Sequence, residues 1–189
     1  YGILTSLNLT GLSSLTELNC SSNFLTSLNL SNLPNLELLD CSRNNISSLD
    51  VTDLTNLLEL TCANAYIVDG QYSGQLSSLN VAGLANLKKL NCNLNLLSSL
   101  DLTGLISLEE LSCDGVPNNL GQLTSLNVNN LTNLRTLSCN FQQLTSLNVS
   151  NLVNLKSLQC AHNNINSLDL TGLINLEILE YAYNQLANL

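Results

Sequence analysis

Leucine recurs along the chain in a fixed pattern that ends with a cysteine. The frame Leu-x-x-Leu-x-Cys occurs seven times, first from Leu15, and every cysteine of the chain ends one such frame. These residues are Cys20, Cys41, Cys62, Cys92, Cys113, Cys139 and Cys160. Four of the six intervals between successive cysteines are 21 residues long, and the other two are 30 and 26. A repeat of this length over a whole chain predicts a solenoid, in which each coil stacks on the next.

Within one repeat, apolar and polar residues alternate in two short segments. Leu18-Asn19-Cys20 is one such segment, and Ser27-Leu28-Asn29-Leu30 is the other. Alternation with a period of two predicts strands with one buried face, and no segment keeps a helical period over ten residues. We therefore expect a short parallel strand and a second extended stretch on the return side of each coil. Turns are predicted where Gly, Asn or Asp follows the second segment. They lie at Ser31-Asn32, Thr52-Asp53, Ala82-Gly83, Thr103-Gly104 and Thr171-Gly172.

An asparagine follows the cysteine by three residues in many of the repeats. The complete set is Asn23, Asn44, Asn95, Asn163 and Asn184, the last after Tyr181 in place of cysteine. The pattern resembles the leucine-rich-repeat family, whose core is L-x-x-L-x-L-x-x-N/C-x-L, with cysteine here at the third leucine position. The short unit is similar to a bacterial, internalin-like or adhesin-like subclass. Ala65, Val116 and Gln142 depart from the pattern at the asparagine position.

The resemblance implies a β-rich solenoid wound as a right-handed coil. We expect about eight 21-residue repeats with parallel strands on the concave face, forming a single domain over residues 1–189. Both ends of the chain lie within a repeat, so we expect the domain to be a fragment of a longer protein. In this family the asparagine satisfies backbone groups of neighbouring coils, because its amide both donates and accepts hydrogen bonds. The asparagines and cysteines are therefore expected to be structural core residues.

The cysteines admit two interpretations. They are expected to point inward as reduced thiols that pack as small apolar groups. The alternative is a set of disulfides between neighbouring coils, although parallel strands in register present poor geometry for them. A metal site is not expected, because the chain lacks a C-x-x-C pair and has one histidine.

Composition argues against several classes of function. The chain has 5 Lys+Arg and a formal net charge of −9, so nucleic-acid binding is not expected. No apolar run is long enough to span a membrane. His162 follows Cys160 closely, but its position is variable among the repeats, which predicts an ordinary surface histidine rather than a catalytic one. With no phosphate loop or nucleophile elbow, we expect the protein not to be an enzyme.

The strand positions that face solvent differ from coil to coil, unlike the Ser and Asn/Asp positions of the return side. Variation of this kind is typical of a surface that recognises an irregular partner, and it also arises by drift on a solvated face. The concave-face candidates are Glu17, Asp40, Glu59, Lys89 and Glu110. The uniform return side either suits a repeated backbone turn or binds ordered water or a repetitive polymer.

Two insertions, at about residues 65–75 and 114–122, lengthen the repeat just after a cysteine strand. Both rejoin the pattern through Gly-Gln-Leu-x-Ser-Leu-Asn-Val, so we expect them on one edge of the stack. Insertions in solenoids often carry the binding face, and tolerated loop growth is the alternative. The candidate binding residues are Tyr66, Asp69, Tyr72, Asp114, Asn118 and Asn119. We expect no cofactor, with calcium at the loop carboxylates as the alternative.

By analogy with the family, the expected function is non-enzymatic protein–protein recognition by a bacterial secreted or cell-surface protein with an adhesin-like role. The alternative is a structural spacer or a subunit of a larger surface assembly, with no ligand of its own. In that case flanking domains or other subunits would contact the open ends. A cytoplasmic location is the alternative to secretion, because buried thiols are compatible with both.

Overall fold

The computed structural model describes residues 2–64, 76–117 and 121–187. Within these ranges it contains ten strands of three residues each and no helix. The strands are β1 (Glu17–Asn19), β2 (Leu38–Asp40), β3 (Ser48–Asp50), β4 (Glu59–Thr61), β5 (Ser78–Asn80), β6 (Lys89–Asn91), β7 (Glu110–Ser112), β8 (Thr136–Ser138), β9 (Ser157–Gln159) and β10 (Ile178–Glu180). Because these residues form no helix at all, none of them forms a helix that could cross a bilayer.

Eight of the strands form one parallel sheet that runs the length of the stack. Their order is β1-β2-β4-β6-β7-β8-β9-β10, so each coil contributes one strand and pairs with the coils on either side. The register places the middle leucine of each strand opposite the middle leucine of its neighbours, as with Leu39 and Leu60. The predicted β-rich solenoid with parallel strands is confirmed.

Leucine stacking explains why the coils assemble. The middle residue of each strand points into the core while its two neighbours are more exposed, except in β8, where Ser138 is buried as well. Leu60 and Leu111 are fully buried. The cysteine that follows each strand is also buried, at Cys139 and Cys160 completely. A buried leucine contributes about 1.5–3 kcal/mol, and a single coil has no second layer to cover its own leucines. Stability therefore depends on neighbouring coils sharing one core.

The return side of each coil is extended and then turns twice. Strands β3 and β5 pair in parallel as a second, two-stranded sheet, with Leu49 opposite Leu79. After the extended stretch, Leu33 N donates to Leu30 O at 3.3 Å and Leu36 N donates to Leu33 O at 3.1 Å. The turns predicted from the sequence are present, and Gly83 adopts φ +82° in one of them.

The uniform Asn/Asp position of the return side makes these turns. Asn29 Oδ1 accepts a hydrogen bond from Ser31 N at 3.1 Å, and Asp50 Oδ1 accepts one from Thr52 N at 3.0 Å. These bonds, first from the Thr52 backbone and then from its hydroxyl, lower the pKa of Asp50. A short acid or amide that bonds the backbone two residues on fixes a turn locally. The geometry therefore favours the structural interpretation of this column over a polymer-binding one.

A second set of asparagines ties successive coils together in the turns that lead into the strands of the eight-stranded sheet. Each precedes the first leucine of a repeat, and its Nδ2 donates to a backbone carbonyl of the preceding coil at 2.8–2.9 Å. The residues are Asn35, Asn56, Asn86, Asn133, Asn154 and Asn175. The sequence interpretation missed this column, although its spacing is as regular as that of the cysteines.

Candidate functional site

The solvent-facing residues of the eight-stranded sheet, here called the sheet face, are the first and third residues of each strand. All five candidates predicted for the concave side lie on it, and the structure brings three of them together. Lys89 Nζ lies 3.6 Å from Glu59 Oε1 and 3.6 Å from Glu110 Oε1, with the three side chains about half exposed. Ion pairs this exposed contribute about 0–1 kcal/mol, so they shape the charge of the surface more than its stability.

Charge is distributed unevenly along the sheet face and its border. Besides the Lys89 pairs, Arg135 lies 3.3 Å from Glu109 and Lys156 lies 3.2 Å from Glu177. These pairs join the coils of β4, β6, β7 and β8 and, separately, the coils of β9 and β10. In the coils of β1 and β2, the described residues place no cation within ion-pair distance of Glu17, Glu37 or Asp40. Asp40 Oδ1 instead accepts the Ser42 backbone N–H at 3.0 Å.

The seven cysteines form a column of free thiols inside the stack. Burial raises the pKa of Cys20 and Cys160 to about 11, and burial followed by repulsion from Cys20 and Asp40 raises that of Cys41 to about 12. A protonated, buried thiol is a poor nucleophile and a poor metal ligand. Within the described ranges, no group of three potential metal ligands comes together.

The asparagine column bonds the backbone of two coils at once. Asn44 Nδ2 donates to Cys20 O and Cys41 O, each at 3.0 Å, while its Oδ1 accepts from Leu25 N at 3.0 Å. Asn163 makes the equivalent set with Cys139 O, Cys160 O and Leu144 N. Both side chains are buried. These bonds satisfy backbone groups at the point where the strand ladder ends, which water cannot reach.

The departures from asparagine are accommodated in different ways. Gln142 reproduces the bonds with its longer side chain, since Nε2 donates to Cys113 O at 2.7 Å and Oε1 accepts from Leu123 N at 3.1 Å. Val116 replaces the asparagine with a buried apolar side chain, of which 1% is exposed. Ala65 lies outside the described residues.

The first insertion, residues 65–75, lies outside the described residues together with its candidates Tyr66, Asp69 and Tyr72. In the second insertion the candidates Asn118 and Asn119 also lie outside them, whereas Asp114 is described. Asp114 is half-buried, and one carboxylate oxygen accepts from Ser138 Oγ and from Asn140 N, both at 2.7 Å. Desolvation by burial raises the pKa of Asp114 in spite of these bonds. The carboxylate thus links neighbouring coils rather than projecting freely from a loop.

The second insertion leaves the stack near Gly115 and rejoins it near Gly121, and these two backbone segments are here called the neck. Gly115 N donates to Asn140 O at 2.8 Å, and Gly121 N donates to Phe141 O at 2.6 Å. A Cβ atom on Gly115 would overlap Phe141 O, and one on Gly121 would overlap the Gln142 amide. At Gly115 a side chain would therefore separate the two backbones, whereas at Gly121 it would displace the Gln142 amide from its hydrogen bonds.

An aromatic column begins beside this neck and was not predicted from the sequence. The rings of Phe141, His162 and Tyr183 stack with centroid separations of 4.3 and 4.2 Å and interplanar angles of 11° and 14°. All three residues adopt positive φ, between 56° and 58°. His162 is thus half-buried between two rings rather than an isolated surface histidine. The available signal was the shared position of the three residues, two after Cys139, Cys160 and Tyr181.

No protein-family model matches the chain, and comparison with curated proteins gives no match. Among solved structures, the functional domain of InlJ from Listeria monocytogenes, described as including a cysteine ladder, is 32% identical with a TM-score of 0.69. The match covers 99% of this chain and 44% of that one, so the chain spans less than half of the InlJ structure.

Two further structures agree. Internalin C2 from Listeria monocytogenes is 25% identical with a TM-score of 0.71, over 89% of this chain and 72% of that one. A leucine-rich-repeat protein from Leptospira interrogans is 27% identical with a TM-score of 0.67, over 93% and 50% of the two chains. The shared repeat, the parallel sheet and these similarities together show that the chain is a leucine-rich-repeat protein with the fold of the internalins.

Proposed function

We propose that the chain is a non-enzymatic protein-recognition module of a bacterial secreted or cell-surface protein, with an adhesin-like role. The observation that carries this proposal is the contrast between the sheet face and the rest of the repeat. The leucine, cysteine, asparagine and turn positions are nearly constant, whereas the first strand residue changes from acid to base to apolar along the stack. The series is Glu17, Leu38, Glu59, Lys89, Glu110, Thr136, Ser157 and Ile178.

A rigid sheet is a suitable support for such a surface. Side chains held in register on paired strands lose little additional conformational freedom on binding, which lowers the entropic cost of association. The two asparagine columns strengthen this rigidity by joining each coil to the next. Because function does not follow from fold alone, the proposal rests on the side chains of the sheet face.

The chemistry of the described residues supports a non-enzymatic role. The thiols have raised pKa values and lie in the core, so they present no activated nucleophile. His162, the one histidine of the chain, has both ring faces occupied by Phe141 and Tyr183. The bacterial sources of the similar structures favour a bacterial protein, and the kinship with internalins favours the cell surface over the cytoplasm.

Site-specific photo-cross-linking tests the proposal. A photoreactive amino acid is placed at Glu110 on the sheet face and, in a matched variant, at the exposed Ser99 of the return side. Both proteins are exposed to extracted surface proteins of candidate host cells. We expect a cross-linked protein from position 110 that excess unlabelled chain competes away, and none from position 99. Competed cross-links from position 99 alone, or from neither position, would contradict the proposal, and the second result would favour the spacer role.

The same assay tests the loops and calcium. Replacing Asn118 and Asn119 by serine, or Tyr66 and Tyr72 by serine, is expected to lower the cross-link yield if the insertions contact the partner. Both changes leave Gly115 and Gly121 in place, so the neck of the second insertion is retained. We propose that binding needs no cofactor, and chelating calcium should leave the yield unchanged. A loss of yield on chelation would instead assign calcium a role.

A further inference from the structure

Two partly exposed leucines lie in adjacent coils, one on the sheet face and one at its border. Leu38 is the first residue of β2, and Leu58 directly precedes β4. Both are half-buried. At the position of Leu58 the other coils carry only polar or charged side chains, and at that of Leu38 the one other apolar residue is Ile178. The residues equivalent to Leu58 are Thr16, Glu37, Lys88, Glu109, Arg135, Lys156 and Glu177. Neither leucine belongs to the buried core cluster, so each keeps part of its apolar surface in contact with solvent.

Carboxylates surround the two leucines. The strand register places Leu38 between Glu17 of β1 and Glu59 of β4. Leu58 N donates to Glu37 O at 2.8 Å, which places Glu37 beside Leu58 on the neighbouring coil. Asp40 follows Leu38 by two residues and faces the same side of the sheet. We call the set of Leu38, Leu58, Glu17, Glu37 and Asp40 the leucine patch.

Among the described residues, the carboxylates of the leucine patch have no ion-pair partner, unlike Glu59 and Glu110, although Glu180 of β10 also lacks one. Glu59 at its border pairs with Lys89, but the ion pairs of the described residues include neither Glu17, Glu37 nor Asp40. The acids at Glu109, Glu110 and Glu177 each have a cation within 3.6 Å. A partner that brings positive charge to the patch therefore gains attraction without first breaking an ion pair.

We propose that the leucine patch docks a basic segment of a protein partner, in which an apolar side chain is flanked by lysine or arginine. The inference rests on the proposed recognition function and names the chemistry of the partner. Adjacent strands are about 4.8 Å apart, so Glu17 and Glu59 straddle Leu38 at a separation of about 10 Å. In an extended segment, side chains two positions apart face the same side, so an apolar residue with one basic residue two positions before it and another two positions after it presents all three side chains to the patch. These basic residues lie about 13 Å apart at about 3.3 Å per residue, and their long side chains can close the difference to the carboxylates. The apolar side chain between the two basic residues contacts Leu38.

Model peptides test this chemistry directly. The probes are three acetylated nine-residue peptides with serine at every even position, in which the odd positions, which share one face of an extended chain, alternate lysine with leucine, lysine with serine, or glutamate with leucine. Each is titrated into isotope-labelled protein, and backbone amide shifts are followed by NMR. We expect saturable shifts for the lysine–leucine peptide confined to residues 16–61, with an affinity at least tenfold above that of the lysine–serine peptide. The glutamate–leucine peptide should not bind.

A matched pair of variants separates local charge from net charge. The double change Glu17→Gln and Glu37→Gln removes two negative charges from the patch. The change Asp101→Asn and Asp169→Asn removes two from the return side, where asparagine already makes the same turn at Asn29. We expect the first variant to weaken binding of the lysine–leucine peptide at least tenfold and the second less than twofold. Leu38→Ser with Leu58→Ser should reduce the affinity to that of the lysine–serine peptide.

Three results would overturn the inference: equal weakening by the two charge variants, shifts spread over the return side, or no saturation by the lysine–leucine peptide. The comparison of peptides on the unmodified protein remains decisive even where a variant fails to fold. Cross-linking from position 110 is independent of these probes. If the protein cross-links a partner from position 110 but does not bind the lysine–leucine peptide, the proposed recognition function stands and the proposal of a basic partner segment is wrong.

Discussion

Replacing Asn163 by alanine should destabilise the stack far more than removing an exposed asparagine. Asn163 is 7% exposed and joins two coils. Its Nδ2 donates to Cys139 O at 2.9 Å and Cys160 O at 3.2 Å, and its Oδ1 accepts from Leu144 N at 3.0 Å. Alanine removes all of these bonds and fills less of the space.

The magnitude follows from the groups left behind. Leu144 and Cys139 are fully buried, so the Leu144 N–H and the Cys139 carbonyl lose their partner where water does not reach. An unsatisfied buried group costs about 1–3 kcal/mol, which gives a total of about 2–6 kcal/mol for the two. Cys160 O has a further donor in Asn184 Nδ2 at 2.9 Å, so its loss adds little.

Asn175→Ala is the matched control. It makes the same chemical change, but Asn175 Nδ2 donates a single exposed bond, to Val153 O at 2.8 Å. We expect a cost of about 0.5–1.5 kcal/mol there. Urea unfolding followed by circular dichroism measures both variants. Because solenoids can unfold in parts, hydrogen exchange of the Leu144 amide reports the local effect.

The result that would refute the reasoning is a cost for Asn163→Ala within about 0.5 kcal/mol of that for Asn175→Ala, a margin typical of neutral surface changes. Full protection of the Leu144 amide in the variant would point the same way. Either outcome would mean that the backbone relaxes to satisfy itself and that the asparagine column is not what joins the coils.

Three further predictions concern the thiols, Asp114 and the neck of the second insertion. Burial raises the pKa of Cys20 to about 11 and of Cys41 to about 12 from 9.0, so the unfolded chain loses thiol protons first and stability should fall as the pH rises above about 9. Alkylation of the native protein with mass mapping should then modify Cys20 before Cys41, because Cys20 has the lower pKa and the more exposed side chain of the two. Burial raises the pKa of Asp114, so its contribution to the free energy of unfolding is present below pH 3.8 and is lost as the pH rises. The Asp114→Asn variant does not titrate, and its stability relative to the parent should therefore increase between acidic and neutral pH. An unchanged difference across a pH series of urea midpoints would contradict this. Gly115→Ala should cost about 1–3 kcal/mol by overpacking, more than Gly83→Ala, whose Cβ meets no atom and suffers only its positive φ. Equal thermal midpoints for the two variants would show that the neck opens freely.

Much of the fold was predictable because it depends on short-range periodicity. One leucine every few residues at constant spacing leaves a single way to bury all of them, which is to stack the coils in register. The alternation around Leu18 and its equivalents located the strands of the main sheet, and the Gly and Asn positions located the turns. The sequence predicted an extended stretch on the return side of each coil. Within the described residues, only β3 and β5 of that side pair as strands.

The candidate surface was harder to predict, because it depends on contacts between coils. Glu59, Lys89 and Glu110 were selected individually, but their ion pairs depend on the strand register. Asp114 looked like a free loop acid, whereas it bonds Ser138 and Asn140 of the next coil. The aromatic column was missed for the same reason. Phe141, His162 and Tyr183 are spaced 21 residues apart along the chain, and their rings meet only because the coils stack.

The sequence by itself determined the repeat, the parallel strands, the inward side of each strand and the scarcity of reactive groups. Those properties follow from residue order within one coil, where neighbours along the chain are also neighbours in space. Only the tertiary structure decided which side chains of different coils meet. It paired Lys89, Arg135 and Lys156 with acids of neighbouring coils. Beside two half-buried leucines it gave Glu17, Glu37 and Asp40 no ion-pair partner among the described residues. The physical reason is that hydrogen bonds, ion pairs and ring stacking act over a few ångströms, and strand register sets those distances.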